Sequence, residues 1–183
     1  MRRQRGFTIV ELMVVVAIIA ILGALIIGVS SRTYGVNATS MSDQLVQTMN
    51  FARTRALSTR RIHRVSVHFE LSPVEIHIWQ ASTTGMNRAN LDGTAKLVER
   101  TIVPRSVTLF HAAIGANAAG AITPTQTSTQ FDVDFLPNGS ADVAGNASGT
   151  DPATLYVTDG SGAREHRVLV YSATGSAYAR KIW

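Results

Sequence analysis

The chain opens on one long apolar block and then changes its period twice. Between Phe7 and Val29 the only polar side chains are Thr8 and Glu11. At about 1.5 Å per residue this block makes a helix of about 34 Å, enough to cross a hydrocarbon core. After a polar stretch, Ser30 to Asn37, apolar residues recur at Met41, Leu45, Met49, Ala52 and Ala56, a helical stripe. Asp43, Gln44, Gln47, Asn50, Arg53 and Arg55 fall largely off it, so residues 30–61 continue the helix in amphipathic form, one face on a sheet, ending near Arg60. From Ile62 the period becomes two: Val65, Val67 and Phe69 alternate with Arg64, Ser66 and His68. The alternation resumes after Leu71-Ser72-Pro73 at Val74, Ile76 and Ile78, which predicts a β-hairpin. Further strands are expected at 97–103, 107–110, 131–135, 155–157 and 168–171. The low-complexity stretches 112–130 and 138–154 read as surface loops. The expected class is α+β: a long N-terminal helix packed on a C-terminal antiparallel β domain, residues 62–183.

Composition narrows the possibilities. A chain of 183 residues with 45% hydrophobic residues supports one domain with a sizeable core. With no cysteine, a disulfide framework, thiol catalysis and a Cys-ligated zinc or iron–sulfur site are excluded. The apolar block excludes a purely soluble protein and runs too far for a cleaved secretory signal. Arg2, Arg3 and Arg5 stand before it and Arg32 just beyond it, so the N-terminus is expected in the cytoplasm and the rest outside. Glu11 sits one turn inside, where a carboxylate costs up to about 2.5–3.5 kcal/mol at mid-membrane, and calls for a partner.

The residues Gly6-Phe7-Thr8-Ile9-Val10-Glu11-Leu12 resemble the class III leader of type IV pilins and type II secretion pseudopilins. The resemblance implies a leader over residues 1–6 and cleavage between Gly6 and Phe7 by a prepilin peptidase. It also implies N-methylation of Phe7 and a membrane and filament-core helix over residues 7–29. Cleavage would let the new amine of Phe7 in a neighbouring subunit pair with Glu11 at low dielectric. Losing the leader's three arginines would lower the formal side-chain charge from +5 to +2. Major pilins of this type usually carry a proline where Gly28 stands, a departure that points to a minor subunit.

Farther along, Phe51-Ala52-Arg53-Thr54-Arg55-Ala56-Leu57 is similar to the helix-to-strand passage of the GspH/FimT family of minor pilins and pseudopilins. The aromatic strand and glycine turn of Phe131 to Gly139, and the closing strand and turn of Val168 to Gly175, match that family as well. The implied fold is the pilin fold. The implied role is a minor subunit that primes assembly of, or caps, a type IV pilus. The alternatives are a type II secretion pseudopilus subunit and a DNA-binding minor pilin in DNA uptake. The implied partners are other major and minor pilins or pseudopilins, the prepilin peptidase and the inner-membrane assembly platform. The implied location is a single pass through the inner membrane with a periplasmic C-terminal domain, then the filament.

No nucleophile, base and orienter converge in the pattern, so no enzyme, cofactor or metal is expected. His63, His68 and His77 read as exposed strand histidines. His68 and His77 are able to pair across the hairpin, with no Asp or Glu at ligand spacing beside them. Asp132 and Asp134 share a strand face, with Asn138, Asp142 and Asp151 downstream. Some pseudopilins bind calcium in β-domain loops, but without a twelve-residue loop spacing these residues read as solvated surface. The arginines Arg53, Arg55, Arg60, Arg61 and Arg64, with His63, would hold phosphates along DNA. A solvated helix end facing headgroups or acidic neighbours is the preferred reading. DNA-binding relatives carry Gly-Arg-x-Arg in a C-terminal loop. The corresponding Gly175-Ser176-Ala177-Tyr178-Ala179-Arg180-Lys181 lacks the first arginine and keeps only Arg180 and Lys181 as candidate contacts.

Overall fold

The computed structural model describes residues 9–91, 93–111, 129–143, 153–159 and 165–182, apart from the side chains of 21–37, 89–90, 111, 153 and 182. Its first element, α1, is an unbroken helix, Ile9–Thr59, which passes through Gly28 and the polar stretch 30–37 without interruption. It stops where Arg60 turns left-handed, at φ 54°, and the Arg60 carbonyl accepts the Gly85 N–H at 3.0 Å. A left-handed residue ends a helix by redirecting its last carbonyls.

Among the described residues nine strands follow: β1 (His63–His68), β2 (Glu75–Gln80), β3 (Lys96–Ile102), β4 (Val107–His111), β5 (Gln130–Phe135), β6 (Ala141–Val143), β7 (Ala153–Asp159), β8 (Glu165–Val170) and β9 (Ala177–Ile182). They form two sheets, β3-β2-β1-β5-β6 and β4-β7-β8-β9, with every pairing antiparallel. The anticipated hairpin is β1–β2, with Val65 opposite Ile78 and Val67 opposite Ile76.

α1 touches β1 and β5 of the first sheet and β4, β7, β8 and β9 of the second. Its stripe Met41, Leu45, Met49, Ala52 and Ala56 is buried throughout. Around it close Val65, Val67, Ile76, Ile78, Val133 and Phe135 of one sheet and Leu155, Val157, Val168 and Val170 of the other, one shared core. Two small residues at the C-terminal end of the stripe let the sheets approach the helix where they meet.

Two strands depart from the expected pattern. Residues 138–154 read as a loop, yet Ala141–Val143 form β6, too short to show a period. The stretch after Gly175 reads as a turn with cations, yet Ala177–Ile182 form β9 against β8. Its inward position Ala177 is small and its outward positions include Arg180, so composition conceals the alternation. Gly6, Phe7, Asp151 and residues 112–128 and 144–150 lie outside the described residues.

Candidate functional site

The N-terminal part of α1 is apolar and bare. Ile9 is 81% exposed and Ile18 still 51%, and each described side chain from Ile9 to Ala20 is exposed. Glu11 stands exposed in the first turn of this surface. Among the described residues, no helix is long and apolar enough to cross a membrane; the expected span 7–29 extends over side chains outside that set.

At the other end, the arginine cluster is spread over the molecule. Arg53 reaches from the helix to the turn between β5 and β6, its Nε donating to the Gly139 carbonyl at 3.2 Å. Gly139 adopts φ 89° and Gly175 φ 62°, and the two turns touch: a Cβ on Gly175 would lie 2.3 Å from the Gly139 carbonyl oxygen. The Ala141 N–H donates to the Ser172 carbonyl at 2.8 Å, tying the two sheets together there. Arg53 therefore pins the helix to a place where the two sheets are bonded to each other, and its Cδ would sit 3.3 Å from that Cβ.

Three of the other cations are held as well. The Arg55 guanidinium lies 5.2 Å from the Phe51 ring centroid. Arg61 donates to the Ser82 carbonyl at 2.9 Å. Arg64 forks onto Asp134 at 2.6 and 2.9 Å and approaches Asp132 at 3.7 Å. Arg180 is exposed on β9 opposite Arg167, and Lys181 is opposite His166. The cluster does not converge: a DNA backbone would find Arg64 already held by carboxylates and Arg53 by a turn.

The acidic face differs from the solvated surface expected of it. Asp134 is 2% exposed, held by Arg64 on β1 and by Arg88, whose Nε lies 3.4 Å away. Arg88 also pairs with Asp142, which stands opposite Asp134 in the ladder. Bonded to Asp134, Arg64 has its proton affinity raised further above the ordinary guanidinium value. Asn138 accepts from the Ser140 N–H at 3.0 Å and so shapes the turn. Asp134 thus gives both its oxygens to Arg64, while Asp132 accepts from the Gln130 side chain at 2.7 Å.

The histidines also need correction. His63 is fully buried, because β1 is the middle strand of its sheet and this residue shares the inward face of Val65 and Val67. Burial pushes its pKa down, while a bond to the Arg61 carbonyl at 3.2 Å works against the shift. His68 and His77 are only 17% and 15% exposed and meet across the hairpin with ring centroids 4.6 Å apart. Carboxylates do stand beside them, Glu70 at 2.8 Å and Glu75 at 2.9 Å. Glu75 is also clamped by Arg100, opposite His77 on β3, and Arg100 with His77 holds its carboxyl down at about 2. Reading the hairpin register through to β3 would have found Arg100. Nothing in the local pattern marks Arg88.

Comparison with known proteins brings these parts together. The model of the prokaryotic N-terminal methylation motif matches residues 1–27, and that of the type II transport protein GspH matches residues 42–175. The chain belongs to the GspH family. No curated protein sequence matches it. Two solved structures of the minor pseudopilin EpsH from the type 2 secretion system of Vibrio cholerae are similar. One has 12% identity and a TM-score of 0.46, over 80% of this chain and 96% of that one. The other has 13% identity and a TM-score of 0.47, over 79% and 94%.

As a GspH-family chain with a methylation motif, the protein is a minor pilin or pseudopilin subunit of the membrane-anchored class, and it assembles with other pilins or pseudopilins. The GspH match runs from the buried Ser42 of α1 to Gly175, the residue that closes the Arg53 junction. The family's helix-end arginine and two glycine turns, separate along the chain, are thus one contact in space.

Proposed function

We propose that this subunit primes assembly of, or caps, a type IV pilus through its bare helix, and performs no catalysis. One observation carries the reading: a single helix, Ile9–Thr59, is exposed and apolar in its first part and buried by one stripe in its last. Such a helix exchanges lipid for neighbouring helices on entering a filament, while the junction at Arg53 keeps the β domain in a fixed attitude on it. A prepilin peptidase cuts between Gly6 and Phe7 and methylates Phe7. The Phe7 amine of a neighbour then neutralises Glu11. Before assembly the chain spans the inner membrane once, N-terminus inside and β domain in the periplasm, beside the assembly platform. A second reading, the type II secretion pseudopilus, draws on the description of the matching family as a type II transport protein.

Intact-mass analysis of the membrane-extracted chain, with and without a prepilin peptidase, tests the processing. The expected product begins at N-methyl-Phe7, and an uncut chain would overturn the reading. Glu11→Ala should insert normally yet fail to support filament initiation in a deletion strain. Loss of surface piliation or of protein secretion in that strain assigns the filament. Full complementation of both would refute the role of Glu11.

A further inference from the structure

The outer face of the first sheet carries a polar cluster that the proposed assembly role leaves unexplained. In the β1–β2 register His68 stands opposite Glu75 and Ser66 opposite His77, so the two imidazoles are diagonal neighbours on one face. Their planes meet at 51°. Each ring gives one nitrogen to a carboxylate, His68 Nδ1 to Glu70 Oε1 and His77 Nε2 to Glu75 Oε2. An ionised carboxylate only accepts, so those nitrogens carry the hydrogens. In the neutral rings His68 Nε2 and His77 Nδ1 are then bare lone pairs, and both are buried without a hydrogen-bond partner among the described residues. Two acceptors cannot satisfy each other, and a native fold rarely leaves two such groups side by side.

Imidazoles backed by carboxylates are the arrangement that orients histidine ligands on a transition metal. Glu75 is itself fixed by Arg100 at 2.6 Å, while the Glu70 side chain is 41% exposed at the hairpin turn. Among the described residues no three His, Cys, Asp or Glu form a metal-holding group, so an ion here would take two nitrogen donors from these rings and water for the rest. Nitrogen donors disfavour calcium and magnesium, which take oxygen. Among first-row divalent ions such a site prefers copper(II).

We propose that His68 Nε2 and His77 Nδ1 bind a divalent transition-metal ion, copper(II) most tightly, with Glu70 and Glu75 orienting the rings. The ion joins the two strands of the β1–β2 hairpin. Trp79 makes the site observable, because its ring lies 5.9 Å from that of His77 and bound copper(II) quenches a neighbouring indole. The chain has two tryptophans, so Trp183→Phe leaves Trp79 as the sole reporter.

The experiment titrates the untagged full chain, in detergent micelles near neutral pH, with copper(II) chloride. The expected result is saturable quenching at about one equivalent, reversed by a chelator, and a paramagnetic resonance spectrum with two imidazole nitrogens. His68→Asn and His77→Asn should each abolish the saturable phase, and Glu70→Gln should weaken it about ten- to a hundredfold. Absence of saturable quenching in the parent, or its persistence in the folded His68→Asn/His77→Asn double variant, overturns the proposal. Should that variant fail to fold, the parent spectrum decides: fewer than two imidazole nitrogens refutes the site.

Discussion

Replacing Gly175 by alanine probes the junction that holds both sheets to the helix. At φ 62° an L side chain costs about 1–2 kcal/mol in the backbone alone. The added Cβ would also stand 2.3 Å from the Gly139 carbonyl oxygen, nearer than carbon and oxygen can lie, so one turn must move. That turn is backbone, tied by Gly139 N–H to the Leu136 carbonyl at 2.9 Å and by its own carbonyl to Arg53 at 3.2 Å. Overpacking of this kind costs about 1–3 kcal/mol, which brings the total to about 2–5 kcal/mol. For a domain of this size that lowers Tm by about 4–20 °C. The assay is thermal unfolding of the full chain in micelles, in the Trp183→Phe background, followed by Trp79 fluorescence. Gly93→Ala, whose Cβ meets nothing within 4 Å, is the control and should be near neutral. Gly139→Ala should fall between, since its Cβ meets the ends of two side chains able to give way, Leu57 at 3.3 Å and Arg53 at 3.9 Å. Asparagine tolerates the left-handed region, so Gly175→Asn separates the two costs and should recover little. Full recovery by asparagine, or a Gly175→Ala change below about 0.5 kcal/mol, the range of ordinary surface substitutions, would refute the contact argument.

Two further outcomes follow from the charged face. Asp134→Asn keeps the shape but strips the carboxylate from Arg64, 26% exposed, and Arg88, 43% exposed. Solvent reaches both cations, so the loss should be about 1–3 kcal/mol, less than for a fully buried pair. Denaturant unfolding checks it, and a loss no larger than the few tenths typical of an exposed pair would contradict the assignment. Glu75 has a folded-state pKa of about 2 against an ordinary 4.5, set first by Arg100 and then by His77. Its contribution to stability is therefore complete above pH 4.5 and disappears as the pH falls toward 2. Glu75→Gln should flatten the stability–pH curve in that window relative to the parent, and identical slopes would show that the Arg100 clamp carries no linkage.

Much of the molecule was legible in one dimension because it depends on periodicity and local chemistry. The spacing of Met41, Leu45, Met49, Ala52 and Ala56 specifies a buried helix face wherever the chain ends up, and the alternation around Val65 and Ile76 specifies a hairpin. The leader residues and Glu11 carry their meaning in their order. What only the tertiary structure decided depends on pairs far apart in sequence. Arg64 reads as a free cation until β5 brings Asp134 beside it, and His63 reads as exposed until its strand becomes the centre of a sheet. Gly139 and Gly175 each look like an ordinary turn, and only their contact under Arg53 closes the space a side chain at Gly175 would need. Charge and burial are set by neighbours, and a central strand acquires those neighbours only when the sheet assembles.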